Sequence, residues 1–359
     1  MNRLTAIGFA SLVAYGVLLA TKWDGAAPPT TASPAAQSEA QMPLARPAQG
    51  SGVVATSFGS RGATRSTIPA ASHTGQRLSA VAVHFRSTRD LKAFADSLLA
   101  RIDSLDQEER YYLAKALETC SFATAVNDDL AAASEKRRRQ FLATIPAADP
   151  EAAKRIAAYD ASDETQRCRG FQGTRVAQKQ IDDLYRQASE GGDPRAQARM
   201  LVAELNKNLT SPKGATESTR AVGTDDFQRI ISMLETRDAE AMVLVAQFLA
   251  QHRLIGELRI GPVGEVPEPA SLVGAFSLVA CDYQPTCPAF DREALQACAY
   301  AGFCSAGSYE ELFANFLASP WTYSQAMRYR EIIHSAIETR NWSLLGLQKL
   351  IGARSNADS

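Results

Sequence analysis

Six cysteines carry the most chemical potential in this 359-residue chain: Cys120, Cys168, Cys281, Cys287, Cys298 and Cys304. Four of them form the pattern Cys281-x5-Cys287-x10-Cys298-x5-Cys304. Four thiolates can hold zinc, but structural zinc sites use closer pairs, with about two to four intervening residues. An even number of cysteines in an exported chain points to disulfides. Four cysteines allow three pairings, and the spacing does not choose among them. Cys120 and Cys168 remain as a further pair. No CxxC redox motif is present. Gly302-Phe303-Cys304-Ser305 resembles a thiol-protease turn only superficially, because an oxidised Cys304 is no nucleophile.

A second group lies on one helical stretch, Glu331-Ile332-Ile333-His334-Ser335-Ala336-Ile337-Glu338. E-x-x-H spacing puts carboxylate and imidazole on one helix face, as in di-iron bundles. Those sites need a second E-x-x-H and more carboxylates, which this sequence lacks. The expected state is an ordinary hydrogen-bonded helix face. The other histidines, His73, His84 and His252, offer few partners for a nucleophile–His–acid arrangement. There is no G-x-S-x-G elbow, H-E-x-x-H helix or Walker loop. No catalytic, cofactor-binding or metal-ligating set is assigned, and no cofactor is expected. Glu135-Lys136-Arg137-Arg138-Arg139 is a dense basic run suited to a solvated helix face, or to anionic lipid or an acidic partner. Trp321, Tyr323, Tyr329 and Trp342 concentrate aromatic area near the C-terminus, for core packing or for stacking a ligand.

The elements that position these residues follow from the pattern of the whole chain. Lys and Arg number 38 against 39 Asp and Glu, a formal net charge of −1. That balance argues against nucleic acid as the main partner, since phosphate binding needs a cationic surplus. Met1-Asn2-Arg3 precedes an uncharged apolar run from Leu4 to Ala20, followed by Lys22 and Trp23. Residues 1–24 therefore read as a signal anchor or signal peptide. Cleavage after Ala20 would place bulky Leu18 at a position that wants a small side chain. Cleavage after Ala27 would put Pro28 behind the scissile bond. An uncleaved anchor fits better, with Trp23 at the membrane interface. Residues 25–85, rich in Ala, Pro, Ser and Thr, have too little apolar surface to offset the entropy of ordering, and read as a flexible tether.

Residues 86–351 change to helical periodicity. Leu91, Phe94, Ala95, Leu98, Leu99 and Ile102 form one apolar stripe, and Tyr309, Leu312, Phe313, Phe316 and Leu317 repeat the spacing. Asp149-Pro150 and Asp193-Pro194 place an N-cap before a proline suited to a first helical turn, and Ser308 with Glu311 forms a capping-box pattern. The expectation is an all-α domain of many short antiparallel helices. It would be α-solenoid-like or an irregular bundle, stapled by disulfides, with possible subdomains at 86–215 and 224–351. The one strand-like run, Leu258–Val263, is broken by Gly and Pro. Residues 352–359 read as a flexible tail.

Residues 181–205, IDDLYRQASEGGDPRAQARMLVAEL, join two helices through Gly-Gly-Asp-Pro, with Ala196, Ala198 and Ala203 small enough for close helix contact. This unit resembles the helix–turn–helix of Sel1-like and tetratricopeptide repeat proteins. Thr236-Arg237-Asp238-Ala239-Glu240-Ala241 echoes its turn. The resemblance implies a surface that binds proteins or peptides, and it carries over no catalytic residue. Together with the anchor and tether it gives the functional expectation: a non-enzymatic scaffold on a bacterial inner membrane, its domain in the periplasm, binding an envelope or secreted protein. A cleaved leader would leave the same domain soluble in the periplasm or secreted. The bacterial setting is inferred from the Ala- and Arg-rich composition, and the Asn208 and Asn341 sequons would matter only in a eukaryotic secretory route. The alternative is a glycan-cleaving hydrolase of the cell envelope working through carboxylates, since a lone catalytic Glu leaves no motif.

Overall fold

Apolar stripes at helical spacing dominate the chain from Leu78 onward, and they fold as helices. The computed structural model describes residues 78–125, 129–210, 224–251, 258–284, 287 and 290–347. The expected anchor, nearly all of the tether, the C-terminal tail, His73 and His252 lie outside the described residues. Helix takes up 76% of the described residues, with no strand among them. The fold is all-α. The run around Leu258 forms a single antiparallel bridge between Ile260 and Glu265, closed by a turn through Gly261 and Gly264.

In chain order the helices are α1 (Ala80–Ser87), α2 (Leu91–Leu99), α3 (Gln107–Thr119), α4 (Ser121–Ala125), α5 (Leu130–Thr144), α6 (Ala152–Ser162) and α7 (Glu164–Cys168). They continue with α8 (Gln178–Glu190), α9 (Pro194–Thr210), α10 (Thr224–Glu235), α11 (Ala239–Gln251), α12 (Pro269–Asp282), α13 (Asp291–Ala301), α14 (Tyr309–Leu312) and α15 (Pro320–Thr339). Helix α1 begins inside the stretch read as tether. Its Ala82 and Phe85 are buried, and Ser79 caps it by accepting from the Ala82 N–H. The stripe at 91–102 is divided: α2 ends at Leu99, and Ile102–Ser104 forms a 3-10 turn. The stripe at 309–317 opens as α14 and widens to a π-helical turn over Phe313–Leu317.

Local chemistry accounts for the boundaries. Helix α3 has a full capping box between Asp106 and Glu109. The buried Asp193 carboxylate accepts from the N–H groups of Arg195 (3.0 Å) and Ala196 (2.9 Å) to start α9, with Pro194 at its first position. Gly192 precedes it at φ +92, a left-handed conformation that costs glycine nothing. At 149–150 the cap lies further along: Asp149 accepts from the Glu151 N–H at 2.8 Å, and α6 begins at Ala152.

Two main cores result. The first gathers α1–α3 and α8, with Leu91, Phe94, Tyr112, Leu113 and Ile181 fully buried. The second runs from Ala198 to Leu347 and centres on α11 and α12, apolar on nearly all sides as buried helices must be. Packing proceeds from α3 to α8, α8 to α9, α9 to α11, α11 to α12 and α12 to α15. Helix α13 departs from this succession by pairing with α6, where Phe141, Tyr159 and Cys298 form a small third core.

Candidate functional site

Helix α15 holds six of the residues that the sequence singles out, Trp321, Tyr323, Tyr329, Glu331, His334 and Glu338, and its amphipathic pattern decides their fates. Tyr329, Ile333, Ala336 and Ile337 face the core against α12. His334 therefore emerges at the helix edge, beside Asp282 at the last position of α12. His334 Nε2 lies 2.8 Å from Asp282 Oδ2, and the Arg330 Nε donates to the same oxygen at 2.8 Å. A further Arg330 nitrogen donates to Asp282 Oδ1, so the guanidinium grips the carboxylate with two prongs. Arg330 also donates to Glu310 Oε2 at 2.7 Å, and Tyr323 donates to Glu310 Oε1 at 3.1 Å. Burial pushes the Asp282 carboxyl up, but the hydrogen bonds from His334 and Arg330 outweigh it and hold the group below the usual carboxylate range.

On the other side of the imidazole, the Tyr283 hydroxyl stands 3.4 Å from His334 Nδ1 and donates to Glu338 Oε1 at 3.0 Å. Burial and the neighbouring Glu338 raise the Tyr283 phenol. Arg237 donates to Glu338 Oε2 at 3.0 Å and stacks over the Tyr283 ring. His334 and Glu338 thus share a face, as their spacing requires. Glu331 is exposed and takes no part. The Asp–His pair has the form of half an acid–base triad, but the group on the far ring nitrogen is a tyrosine committed to a carboxylate. The arrangement is a clamp between α12, α15 and the turn before α11. Among the described residues, no three His, Cys, Asp or Glu side chains are placed to hold a metal ion.

The cysteines pair in sequence order: Cys120–Cys168, Cys281–Cys287 and Cys298–Cys304, with Cα–Cα distances of 5.2, 4.8 and 4.2 Å. The first joins the end of α3 to the end of α7, both fully buried. Cys168 is the last residue of a short helix. The second lies directly before Asp282 and fixes the end of α12, where the clamp is anchored. The third closes the turn after α13, where Gly302 takes the left-handed cap position.

The aromatic residues divide. Tyr329 and Trp342 are buried, and Tyr323 is half-buried against Glu310. Trp321, in the first turn of α15, is 58% exposed. Phe316 (40%) and Leu317 (37%), on the π turn just before it, are exposed as well. Three large apolar side chains within six residues are therefore partly exposed at one corner. That corner is rigidly mounted. The Ser319 side chain caps α15 by accepting from the Thr322 N–H, Pro320 occupies its first position, and Phe313 is buried against α12.

No protein-family model matches the chain, and no curated protein or solved structure is significantly similar to it.

Sequence reasoning missed a second charged constellation, where α3 and α9 meet α11. Lys115 and Tyr111 both donate to Glu240. Burial pushes the Glu240 carboxyl up, and Lys115, Tyr111 and Arg86 together outweigh it and hold it low. Arg195 donates to Glu108 at 2.9 Å and to the Tyr112 hydroxyl at 3.1 Å, while its guanidinium covers the Tyr111 and Tyr112 rings. Arg199 and Tyr185 both donate to Glu118. The available signal was Glu240 itself, the one charged residue of α11. Its partners, more than a hundred residues away, left none.

Other features stand apart from these networks. In the basic run, Arg138 forms a two-pronged pair with Asp160, Arg137 donates to the Thr165 hydroxyl, and Arg139 lies 3.5 Å from Glu135. His84 is exposed and packs edge-on against Phe94. Glu293, in the first turn of α13, is raised by burial, and its enclosed Oε2 has no hydrogen-bond partner.

Proposed function

We propose that this chain is a non-enzymatic helical scaffold of the bacterial envelope, tethered to the inner membrane through residues 1–24 with its domain in the periplasm. It binds another envelope or secreted protein. The observation that carries this reading is the corner formed by Phe316, Leu317 and Trp321. Exposed apolar area costs solubility, and clusters of it mark interaction sites. Tryptophan and other aromatics dominate binding energy when they enter a partner's pocket. The rigid mounting supports the same role, since a preorganised anchor loses little entropy on docking. The succession of paired helices supports a solenoid-like scaffold, and the α8–Gly-Gly-Asp-Pro–α9 hairpin supports the likeness to Sel1-like repeats. The three disulfides suit an oxidising compartment.

The test is a photo-crosslinking amino acid at position 321 of the full-length protein in its native membrane, compared with the same group at exposed Lys154. A discrete adduct from position 321 alone supports the reading. Adducts that do not differ between the two positions argue against it.

Glu293 favours the alternative of a carboxylate-dependent glycan hydrolase. A buried carboxyl with a raised pKa and an unpartnered oxygen has the character of a general acid. Glu293→Gln separates the readings, because a hydrolase loses its effect and a scaffold keeps it.

A further inference from the structure

Arg110 makes no hydrogen bond or ion pair through its side chain among the described residues, although it is half-buried. Its Nε is fully enclosed and has no acceptor. The charge of Arg110 is felt by Glu109, but the Glu109 oxygens are already held by Arg101 and by the Asp106 N–H. An enclosed guanidinium N–H without an acceptor costs more than the roughly 1–3 kcal/mol of a neutral orphan. Most arginines near it are paired with carboxylates: Arg101 with Glu109, Arg186 with Asp183 and Glu190, and Arg195 with Asp193 and Glu108.

Arg110 lines a cleft of about 500 Å³ between the start of α3 and one face of α8. That size is ordinary for a small-ligand site. Gln180, Leu184 and Gln187 follow each other along the α8 wall at helical spacing, over about 10 Å. Leu184 supplies an apolar floor, and the two glutamine amides make no side-chain hydrogen bond among the described residues. Asp183 makes no bond to Arg110; it accepts from Lys179 at 2.5 Å and from Arg186 at 3.0 Å. Asp103, the other acid of the cleft, is exposed and makes no bond to Arg110.

The geometry points to a carboxylate-binding site in this cleft, with Arg110 as the anchor and a short extended peptide segment as the ligand. The carboxylate accepts from the terminal nitrogens of the guanidinium, in the planar two-pronged geometry that arginine favours. The apolar floor and the amides of α8 take the residues beside it. Such a carboxylate is either the C-terminus of a chain or an Asp or Glu side chain within one. The site is separate from the Trp321 corner, so the failure of either leaves the other standing.

The test uses full-length protein in neutral detergent and ligand-observed NMR titration with three probes. These are acetyl-trialanine with a free C-terminus, the same peptide amidated, and acetyl-Ala-Asp-Ala-amide. At least one carboxylate probe is expected to bind about 10- to 100-fold more tightly than the neutral amide, the range of a charge-assisted hydrogen bond. Preference for the free terminus assigns a chain end, and preference for the aspartyl probe assigns an acidic side chain. Arg110→Ala is expected to remove the preference without lowering the thermal midpoint, since no partner is lost, and Arg110→Lys to restore part of it. Equal binding of the amide, no binding of either carboxylate probe up to about 10 mM, or undiminished preference in Arg110→Ala would overturn the proposal.

Discussion

Asp282 and His334 sit 2.8 Å apart where the edge of α15 meets the final residue of α12. The carboxylate that receives His334 also receives Arg330, and Cys281, next to it in sequence, is tied back to Cys287. A covalent loop and a charged clamp therefore hold the same helix end.

This arrangement predicts a particular acid response. The Asp282 carboxyl is lowered in the folded protein, so its contribution is complete above the ordinary carboxylate pKa and is lost as pH falls through the lower folded value. Asp282→Asn should cost about 1–3 kcal/mol at pH 7. The gap between wild type and variant should stay constant down to about pH 5 and close below about pH 4. Urea unfolding across that range measures it, and a gap independent of pH would contradict the clamp.

Glu293 has the opposite sign. Burial raises its carboxyl above the ordinary value, so ionisation at neutral pH costs the folded state more than the unfolded chain and opposes folding. Glu293→Gln should raise the thermal midpoint at pH 7. The gain should shrink as pH falls through the raised folded value and vanish below the ordinary carboxylate value, where both states are protonated.

The disulfides should differ in weight. Cys120 and Cys168 are 48 residues apart, and each of the other pairs is separated by 6. Loop-closure entropy gives about 4 kcal/mol for the first and about 2 kcal/mol for each short loop. Chemical unfolding of paired Cys→Ala variants should rank them in that order.

Gly274 lies in α12 under the Phe313 ring, and a Cβ there would come within 2.2 Å of Phe313 Cζ. Gly274→Ala should destabilise by about 1–3 kcal/mol through overpacking. Combining it with Phe313→Leu should cost less than the sum of the two changes, as a double-mutant cycle would record.

The helices were legible because their stripes and caps are local. Leu91–Leu98, Asp193-Pro194 and Ile181–Ala188 each announce themselves within a few residues. Cysteine number and spacing pointed to disulfides, but the pairing depends on where helix ends meet, and that is set by the tertiary packing. Helix α1 escaped notice because one turn of Ala and Val bounded by His84 and Arg86 has weak periodicity. The clamp was half visible: His334 and Glu338 share a helix face by spacing alone. Asp282 reaches His334 from 52 residues away in sequence, and nothing in its own neighbourhood marks it. The exposure of Trp321 beside the burial of Trp342 was likewise invisible to composition, because an aromatic run suits a core as well as a surface.

The most direct test of the scaffold reading is capture of tagged full-length protein from cross-linked membranes, wild type against a Phe316→Ala/Trp321→Ala variant of unchanged thermal midpoint. One stoichiometric envelope or secreted protein is expected with the wild type, reduced at least about 30-fold in the variant, the effect of losing roughly 2 kcal/mol at an aromatic anchor. Recovery of the protein alone, or of the same partner at equal yield from both forms, would contradict it.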